Sequence, residues 1–226
     1  MNQPVDHPRV LVFSRTTAFR HRSIPAGVQA IRELGSEHGF AVEATEDAAV
    51  LTAEAAHQTA IVFLSTSGTV LDAGSRAELE KAVRAGAGFV GIHAASTTER
   101  DWPFYRELLG ARFVDHPAIQ PAGMTVEDAT HPATAHLGAT WDVVDEWYNF
   151  DGNPRGEVRV LLSVDESGYD PGPNTMGEDH PISWCHERFG GRSWYTALGH
   201  DIETYSDPSF RAHLLGGIRW AARLTA

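Results

Sequence analysis

The chain has 226 residues, 42% of them hydrophobic, and its 30 acidic against 18 basic side chains give a formal net charge of −12. This length favours a single domain over residues 1–226, and the acidity argues against nucleic acid or an anionic membrane as a partner. The first residues lack the basic and apolar regions of a signal peptide, and no apolar run reaches the length of a membrane helix, so we expect a cytoplasmic protein.

The first half of the chain alternates strand and helix patterns. Short apolar runs typical of buried strands occupy residues 10–13, 40–44, 60–64 and 88–92. One helix is predicted from an N-cap at Ser23 to about His38, and another from Asp72 to near Gly86. The alternation predicts an α/β fold with a parallel sheet, in which ligands bind beyond the carboxyl ends of the strands.

The second half is predicted to add β-hairpins to this sheet. Strand patterns cover residues 123–128, 141–150, 158–165, 182–187 and 192–198, with turns rich in proline and glycine between them. The sequence Phe189-Gly-Gly191 predicts a hairpin between the last two strands. A final helix is predicted from about residue 208 to 224.

Two predicted strands end by presenting a histidine. In Gly88-Phe-Val-Gly-Ile-His-Ala-Ala-Ser96 an apolar strand reaches His93 and is followed by small residues, a pattern typical of an elbow that lifts one side chain above the sheet. Imidazole is a poor covalent nucleophile but a good base or ligand. Ala197-Leu-Gly-His200 repeats the pattern, with Asp201 next to the histidine.

Further polar residues follow turns or lie among aromatic residues. His116 and His180 each stand between an aspartate, which can orient an imidazole, and a proline, which favours an extended backbone, although either histidine alone also fits a turn. Asp145-Glu-Trp-Tyr-Asn-Phe150 reads as a strand that places Glu146, Tyr148 and Phe150 on one face. A carboxylate among aromatic rings is typical of sugar sites; an edge strand with core aromatics is the alternative.

Two other motifs are rejected as functional sites. The glycine pattern Gly86-Ala-Gly-Phe-Val-Gly91 precedes a strand instead of a helix, so it does not fit a dinucleotide site. The single cysteine, Cys185, excludes an intrachain disulfide, and its position in an alternating strand pattern argues against a nucleophile.

Segments along nearly the whole chain resemble the ThuA-like, or trehalose-utilisation, family. They are Thr17-Ala-Phe-Arg-His-Arg-Ser-Ile24, Gly91-Ile-His-Ala-Ala-Ser96, Trp102-Pro-Phe-Tyr-Arg-Glu-Leu-Leu-Gly-Ala-Arg-Phe113 with His116-Pro117, Asp145-Glu-Trp-Tyr148, Asn153-Pro154, Asp179-His-Pro-Ile-Ser-Trp184 and Gly191-Arg-Ser-Trp-Tyr-Thr-Ala-Leu-Gly-His200. The resemblance implies a flavodoxin-like sandwich similar to class I glutamine amidotransferases. In those enzymes a cysteine occupies the elbow; because His93 stands there, we do not expect glutaminase activity.

The resemblance implies a role with sugars, and three hypotheses follow. The first is an enzyme acting on a sugar or keto-sugar of the trehalose or 3-keto-disaccharide type, by acid–base chemistry of His93, His200 and Glu146. Its expected substrate-binding residues are Arg20, His21, His116, Trp147, Tyr148, Arg155 and His180.

The second hypothesis is a divalent metal enzyme, with zinc as the expected ion and no other cofactor predicted. Its candidate ligands are Glu146 and five histidines: His21, His93, His116, His180 and His200. The third is a non-catalytic sugar-binding partner of a dehydrogenase. All three hypotheses expect a small carbohydrate as the partner, and the sequence leaves open whether the chain forms a homo-oligomer.

Overall fold

The computed structural model describes residues 7–224, which form eleven strands and five helices of the α type. The strands are β1 Arg9–Phe13, β2 Ala41–Thr45, β3 Ala60–Leu64, β4 Gly88–Ile92, β5 Phe113–Asp115, β6 Gln120–Val126, β7 Thr140–Asp145, β8 Asn149–Phe150, β9 Arg159–Val164, β10 His180–His186 and β11 Ser193–Thr196. The helices are α1 Ile24–His38, α2 Ala48–Glu54, α3 Ala73–Arg84, α4 Pro103–Leu109 and α5 Pro208–Ala221.

Nine of these strands form one mixed sheet in the order β2-β1-β3-β4-β11-β10-β9-β6-β7. The strands from β2 to β11 are parallel, and each later neighbour is antiparallel to the one before it. Every residue of β3 and β4 is buried, as expected for a sheet covered on both faces. The α/β prediction is confirmed, and so is the hairpin between β10 and β11.

Aspartate side chains cap three of the five helices, α2, α3 and α5, whereas the start of α1 is held differently. Asp72 caps α3 as predicted, its carboxylate accepting the N–H of Ser75 at 2.8 Å. Ser23 occupies the N-cap of α1, but its hydroxyl donates to the carbonyl of Gly199 at 3.2 Å instead of capping the helix. The start of α1 is therefore tied to the loop that follows β11.

The prediction of one continuous strand over 141–150 is wrong. The strand β7 ends at Asp145, and β8 belongs to a separate two-stranded sheet with β5. The cause is the Asp145 side chain, which accepts the N–H of Glu146 at 2.7 Å and so replaces the strand ladder with a local bond. Because the strand is interrupted there, the prediction that side chains of residues 145–150 alternate between two faces does not hold either. The last helix likewise ends at Ala221, before the predicted 224.

No helix among residues 7–224 is long and apolar enough to cross a membrane. The longest two, α1 and α5, pack against each other, and α5 also packs on β4 and β11. The contact between α5 and β11 is close because Gly217 of α5 lies against the indole of Trp194, where a side-chain carbon would overlap the ring.

We expect Gly217→Ala to lower the free energy of unfolding by about 1–3 kcal/mol, although alanine is the better helix former, because the added methyl must displace the buried Trp194 ring. Urea unfolding measures the change. The control is Gly74→Ala in α3, where the nearest atom lies at 3.4 Å and stability should hold or rise by up to about 1 kcal/mol. Equal stability of the two variants would contradict the packing described.

Candidate active site

His93 stands at a strained elbow at the end of β4. Its φ of +52° is left-handed, a conformation that non-glycine residues rarely adopt. The ring is fully buried, and its Nδ1 lies 2.6 Å from the carbonyl oxygen of Ala197. A carbonyl oxygen only accepts, so Nδ1 carries the proton and Nε2 presents a lone pair. Burial lowers the pKa of His93 to about 4, so the ring is neutral at physiological pH.

Three other side chains meet His93, and with it form what we call the four-residue cluster: His21, His93, Glu146 and His200. Each offers one nitrogen or oxygen, and these atoms all lie within 4.8 Å of one another. The measured separations are 3.1 Å between His21 Nε2 and His93 Nε2, and 3.4, 3.9 and 3.1 Å from Glu146 Oε2 to His93 Nε2, His21 Nε2 and His200 Nδ1.

The sheet explains why these residues converge. Each follows the carboxyl end of a strand: β1, β4, β7 or β11. Four successive antiparallel pairings separate β7 from β11, so β7 runs in the same direction as the parallel strands. All four loops consequently lie at one edge of the sheet, where α/β proteins bind ligands.

Asp145 clamps two of these loops together. Besides Glu146, its buried carboxylate accepts the N–H groups of Gly199 at 3.0 Å and His200 at 3.3 Å. Burial raises the pKa of Asp145 to about 6 against the opposing effect of these bonds. The clamp fixes Glu146 beside His200.

Glu146 is an ionised carboxylate with a side chain only 8% exposed. Burial would raise its pKa, but the imidazoles of His200, His21 and His93 hold the pKa of Glu146 well below its usual range. Glu146 in turn raises the pKa of His200, which is only partly buried. Its second oxygen, Oε1, lies 3.1 Å from His116 Nε2.

A pocket of about 560 Å³ opens above the cluster, a volume suited to a small ligand. Its lining combines aromatic and small apolar walls with a few polar groups: Ala18, Phe19, His21, Ser67, Gly68, Ala94, Thr97, Arg100, Phe113, His116, Glu146 and Tyr148. Glu146 and His21 form the part of the lining that we call the pocket floor, whereas His93 and His200 are not part of the lining. Tyr148 covers His93, with ring centroids 4.4 Å apart and its hydroxyl 2.9 Å from His93 Nε2.

The two arginines predicted to bind substrate lie outside this pocket lining. Arg20 is exposed and pairs with Glu46 at 2.6 Å. Arg155 pairs with Glu127 at 2.7 Å and with Asp179 at 2.5 Å, and these two partners raise its pKa. Both guanidinium groups are already engaged by carboxylates.

Trp147 and His180 also lie away from the pocket. Trp147 is fully buried and donates its indole N–H to the carbonyl of Gln120 at 2.9 Å. His180 is buried on β10, where Nε2 contacts the carbonyl of Tyr148 at 2.9 Å and Nδ1 contacts Glu166 at 2.9 Å. His180 is thus outside the four-residue cluster and supports the backbone of Tyr148.

Sequence reasoning missed Glu99, which orders one wall of the pocket. Its buried carboxylate accepts the N–H groups of Val70 and Leu71 at 2.7 and 2.8 Å and pairs with Arg76. These bonds fix the loop after β3 that carries Ser67. No local pattern in the polar stretch around Glu99 signals this role. Phe113 was visible in the sequence only as part of a family segment.

Cys185 lies on β10 and is buried. Burial raises the pKa of its thiol to about 12, so it stays protonated. The strand placement is as predicted, and the absence of a nucleophilic role stays a prediction.

Comparison with protein families matches residues 9–221 to ThuA, described as trehalose utilisation. Among solved structures, a ThuA-like protein of Bacteroides uniformis has a TM-score of 0.78 at 24% identity, covering 97% of this chain and 94% of that one. A ThuA-like protein of Parabacteroides merdae has a TM-score of 0.79 at 18% identity, covering 96% and 90%. The cytoplasmic protein STM1381 of Salmonella typhimurium LT2 has a TM-score of 0.68 at 9% identity, covering 94% and 99%. No curated protein matches the chain.

We expect Asp145→Ala to lower the free energy of unfolding by about 1–3 kcal/mol, because three buried N–H groups lose their acceptor. Urea unfolding measures this, and hydrogen exchange should become faster at Gly199 and His200. Asp142→Ala, at an exposed position of the same strand, is the matched control and should change neither. Unchanged exchange in Asp145→Ala would contradict the clamp.

Proposed function

The chain belongs to the ThuA family, and on that premise we propose that it is an enzyme that rearranges a keto-sugar of the trehalose type by proton transfer in this pocket. The family description, trehalose utilisation, supports a carbohydrate-related role. The observation that carries the finer proposal is the buried, ionised Glu146 on the pocket floor, contacted by four imidazoles. We place the enzyme in the cytoplasm, in line with the naming of its Salmonella neighbour.

The pocket walls suit a sugar ring. Phe19, Phe113 and Tyr148 present apolar faces against which the C–H surface of a sugar can pack, while Ser67 and Thr97 offer hydroxyl groups for hydrogen bonds. A ketone acidifies the neighbouring C–H, so isomerisation or elimination there needs a positioned base and acid instead of a covalent nucleophile. The cluster contains such groups, whereas the thiol of Cys185 is buried on β10, outside the pocket lining.

His116 and Glu146 are the proposed groups that touch the substrate. His116 Nδ1 lies 2.8 Å from the carbonyl of Pro117, and Nε2 lies 3.1 Å from Glu146 Oε1. Because Nε2 faces a carboxylate and the ring reaches the pocket, we assign His116 the role of proton donor to the substrate. Its side chain is 40% exposed, so a substrate in the pocket can reach it.

His93 and His200 act through Glu146 in this proposal. Both rings lie next to Oε2, at 3.4 and 3.1 Å, and so limit the positions that the carboxylate can take. They are positioning residues here, because neither belongs to the pocket lining and Tyr148 covers the His93 ring.

The proposal is tested by following exchange of substrate hydrogen with solvent deuterium by NMR, using 3-keto-trehalose. The wild-type chain should incorporate deuterium at a carbon next to the ketone. His116→Asn should slow the exchange by about 10²–10⁴-fold while sugar affinity changes little, because a positioned acid–base group contributes that much. His136→Asn, whose ring contacts Ser209 on α5, is the control.

Two results would contradict this proposal. Sugar binding without any exchange or turnover in the wild-type chain would favour the non-catalytic binding partner. Full exchange in His116→Asn would remove His116 from the reaction.

The aromatic wall yields a second test. Phe19 lines the pocket but is 67% exposed, so its removal should not disturb the core. We expect Phe19→Ala to raise KM about 3–10-fold with little change in kcat, since an aromatic contact is worth about 0.5–1.5 kcal/mol. Ile202→Ala, another exposed apolar position outside the pocket lining, should leave KM unchanged. Equal effects of the two variants would argue against sugar packing on Phe19.

A further inference from the structure

The contacts around His93 Nε2 cannot all be hydrogen bonds. This atom has one lone pair, because Nδ1 carries the proton that is donated to Ala197. Three polar atoms nevertheless surround it: Tyr148 Oη at 2.9 Å, His21 Nε2 at 3.1 Å and Glu146 Oε2 at 3.4 Å. One lone pair satisfies a single donor, so the crowding calls for another explanation.

One further imidazole nitrogen that faces the cluster is left without a hydrogen bond. His200 Nδ1 is buried and 3.1 Å from Glu146 Oε2, yet the geometry does not make this contact a hydrogen bond, and the atom has no other partner among residues 7–224. Buried polar atoms in native proteins are usually bonded, so this nitrogen has room for a further partner at the cluster.

The spacing of the cluster matches the ligand shell of a small cation. Ligand atoms about 2.0–2.1 Å from a tetrahedral zinc ion lie about 3.3 Å from one another. Four of the separations here are 3.1, 3.1, 3.4 and 3.9 Å, and none of the six exceeds 4.8 Å. We propose that His21, His93, Glu146 and His200 together bind one divalent transition-metal ion beneath the pocket floor.

Neighbouring residues orient the ligand atoms of the cluster, as the residues around a metal site do. The carbonyl of Ala197 fixes the tautomer of His93, so that Nε2 faces the cluster. His116 holds Glu146 through Oε1 and leaves Oε2 facing the three imidazoles. Such outer contacts orient ligands and keep them deprotonated where the ion binds.

The donor set selects the class of ion. Three imidazole nitrogens and one carboxylate oxygen suit zinc, cobalt, nickel or iron, whereas magnesium and calcium require oxygen ligands. Because Glu146 and His21 also line the pocket, an ion among these four residues would lie next to a bound substrate oxygen, which it would polarise. The role of the ion in catalysis rests on the proposed function, whereas the inference that the four residues bind an ion does not.

The experiment titrates the chelator-treated full chain with Zn²⁺ in the absence of sugar, by calorimetry, and counts bound metal by elemental analysis. We expect one zinc per chain and no comparable binding of Mg²⁺. His200→Ala and Glu146→Gln should weaken zinc binding by more than the roughly 10–100-fold that loss of an outer contact costs. His136→Ala controls for surface histidines, and circular dichroism checks that each variant is folded.

Absence of stoichiometric zinc binding by the folded wild-type chain would overturn the metal site and leave the proposed function standing. Equal zinc affinity in His200→Ala, Glu146→Gln and the wild type would likewise overturn it. Tight zinc binding without turnover of any keto-sugar would instead refute the proposed function and leave the metal site in place.

Discussion

The burial of the Glu146 carboxylate is the constraint on which the rest of the site depends. An ionised carboxylate that is 8% exposed is destabilising unless neighbouring groups compensate its charge. Here the compensation comes from imidazoles on three other loops, with His116 at the second oxygen. Each imidazole is useful only at one distance and orientation, so the loops must be fixed to within a fraction of an ångström.

The fold supplies that precision through the sheet edge and a few buried bonds between loops. Parallel strands bring His21, His93 and His200 to one edge, and the reversals of the antiparallel half return β7 to the same direction. Asp145 then ties the Glu146 loop to the His200 loop, and Ser23 ties the start of α1 to Gly199. The strained φ of His93 is held by this surrounding framework, as is usual for strain at functional sites.

The sequence predicted the strands and helices better than it predicted the contacts between side chains. Strand periodicity located the elbow at His93, and the strand-end position of His200 correctly suggested that the two would meet. The break after Asp145 was missed because local alternation does not show that the Asp145 side chain accepts the N–H of Glu146, nor that Gly199 and His200, more than fifty residues away, hold that side chain in place. The sequence did not reveal the ion pairs of Arg155 for the same reason, since Glu127 and Asp179 are distant from it along the chain.

The central claim is that four side chains from four loops form one cation site, and a crystal grown with zinc tests it most directly. The account predicts a single strong anomalous difference peak about 2.0–2.2 Å from His21 Nε2, His93 Nε2, Glu146 Oε2 and His200 Nδ1. A zinc peak only at surface histidines, with these four side chains bonded to one another or to water, would contradict it.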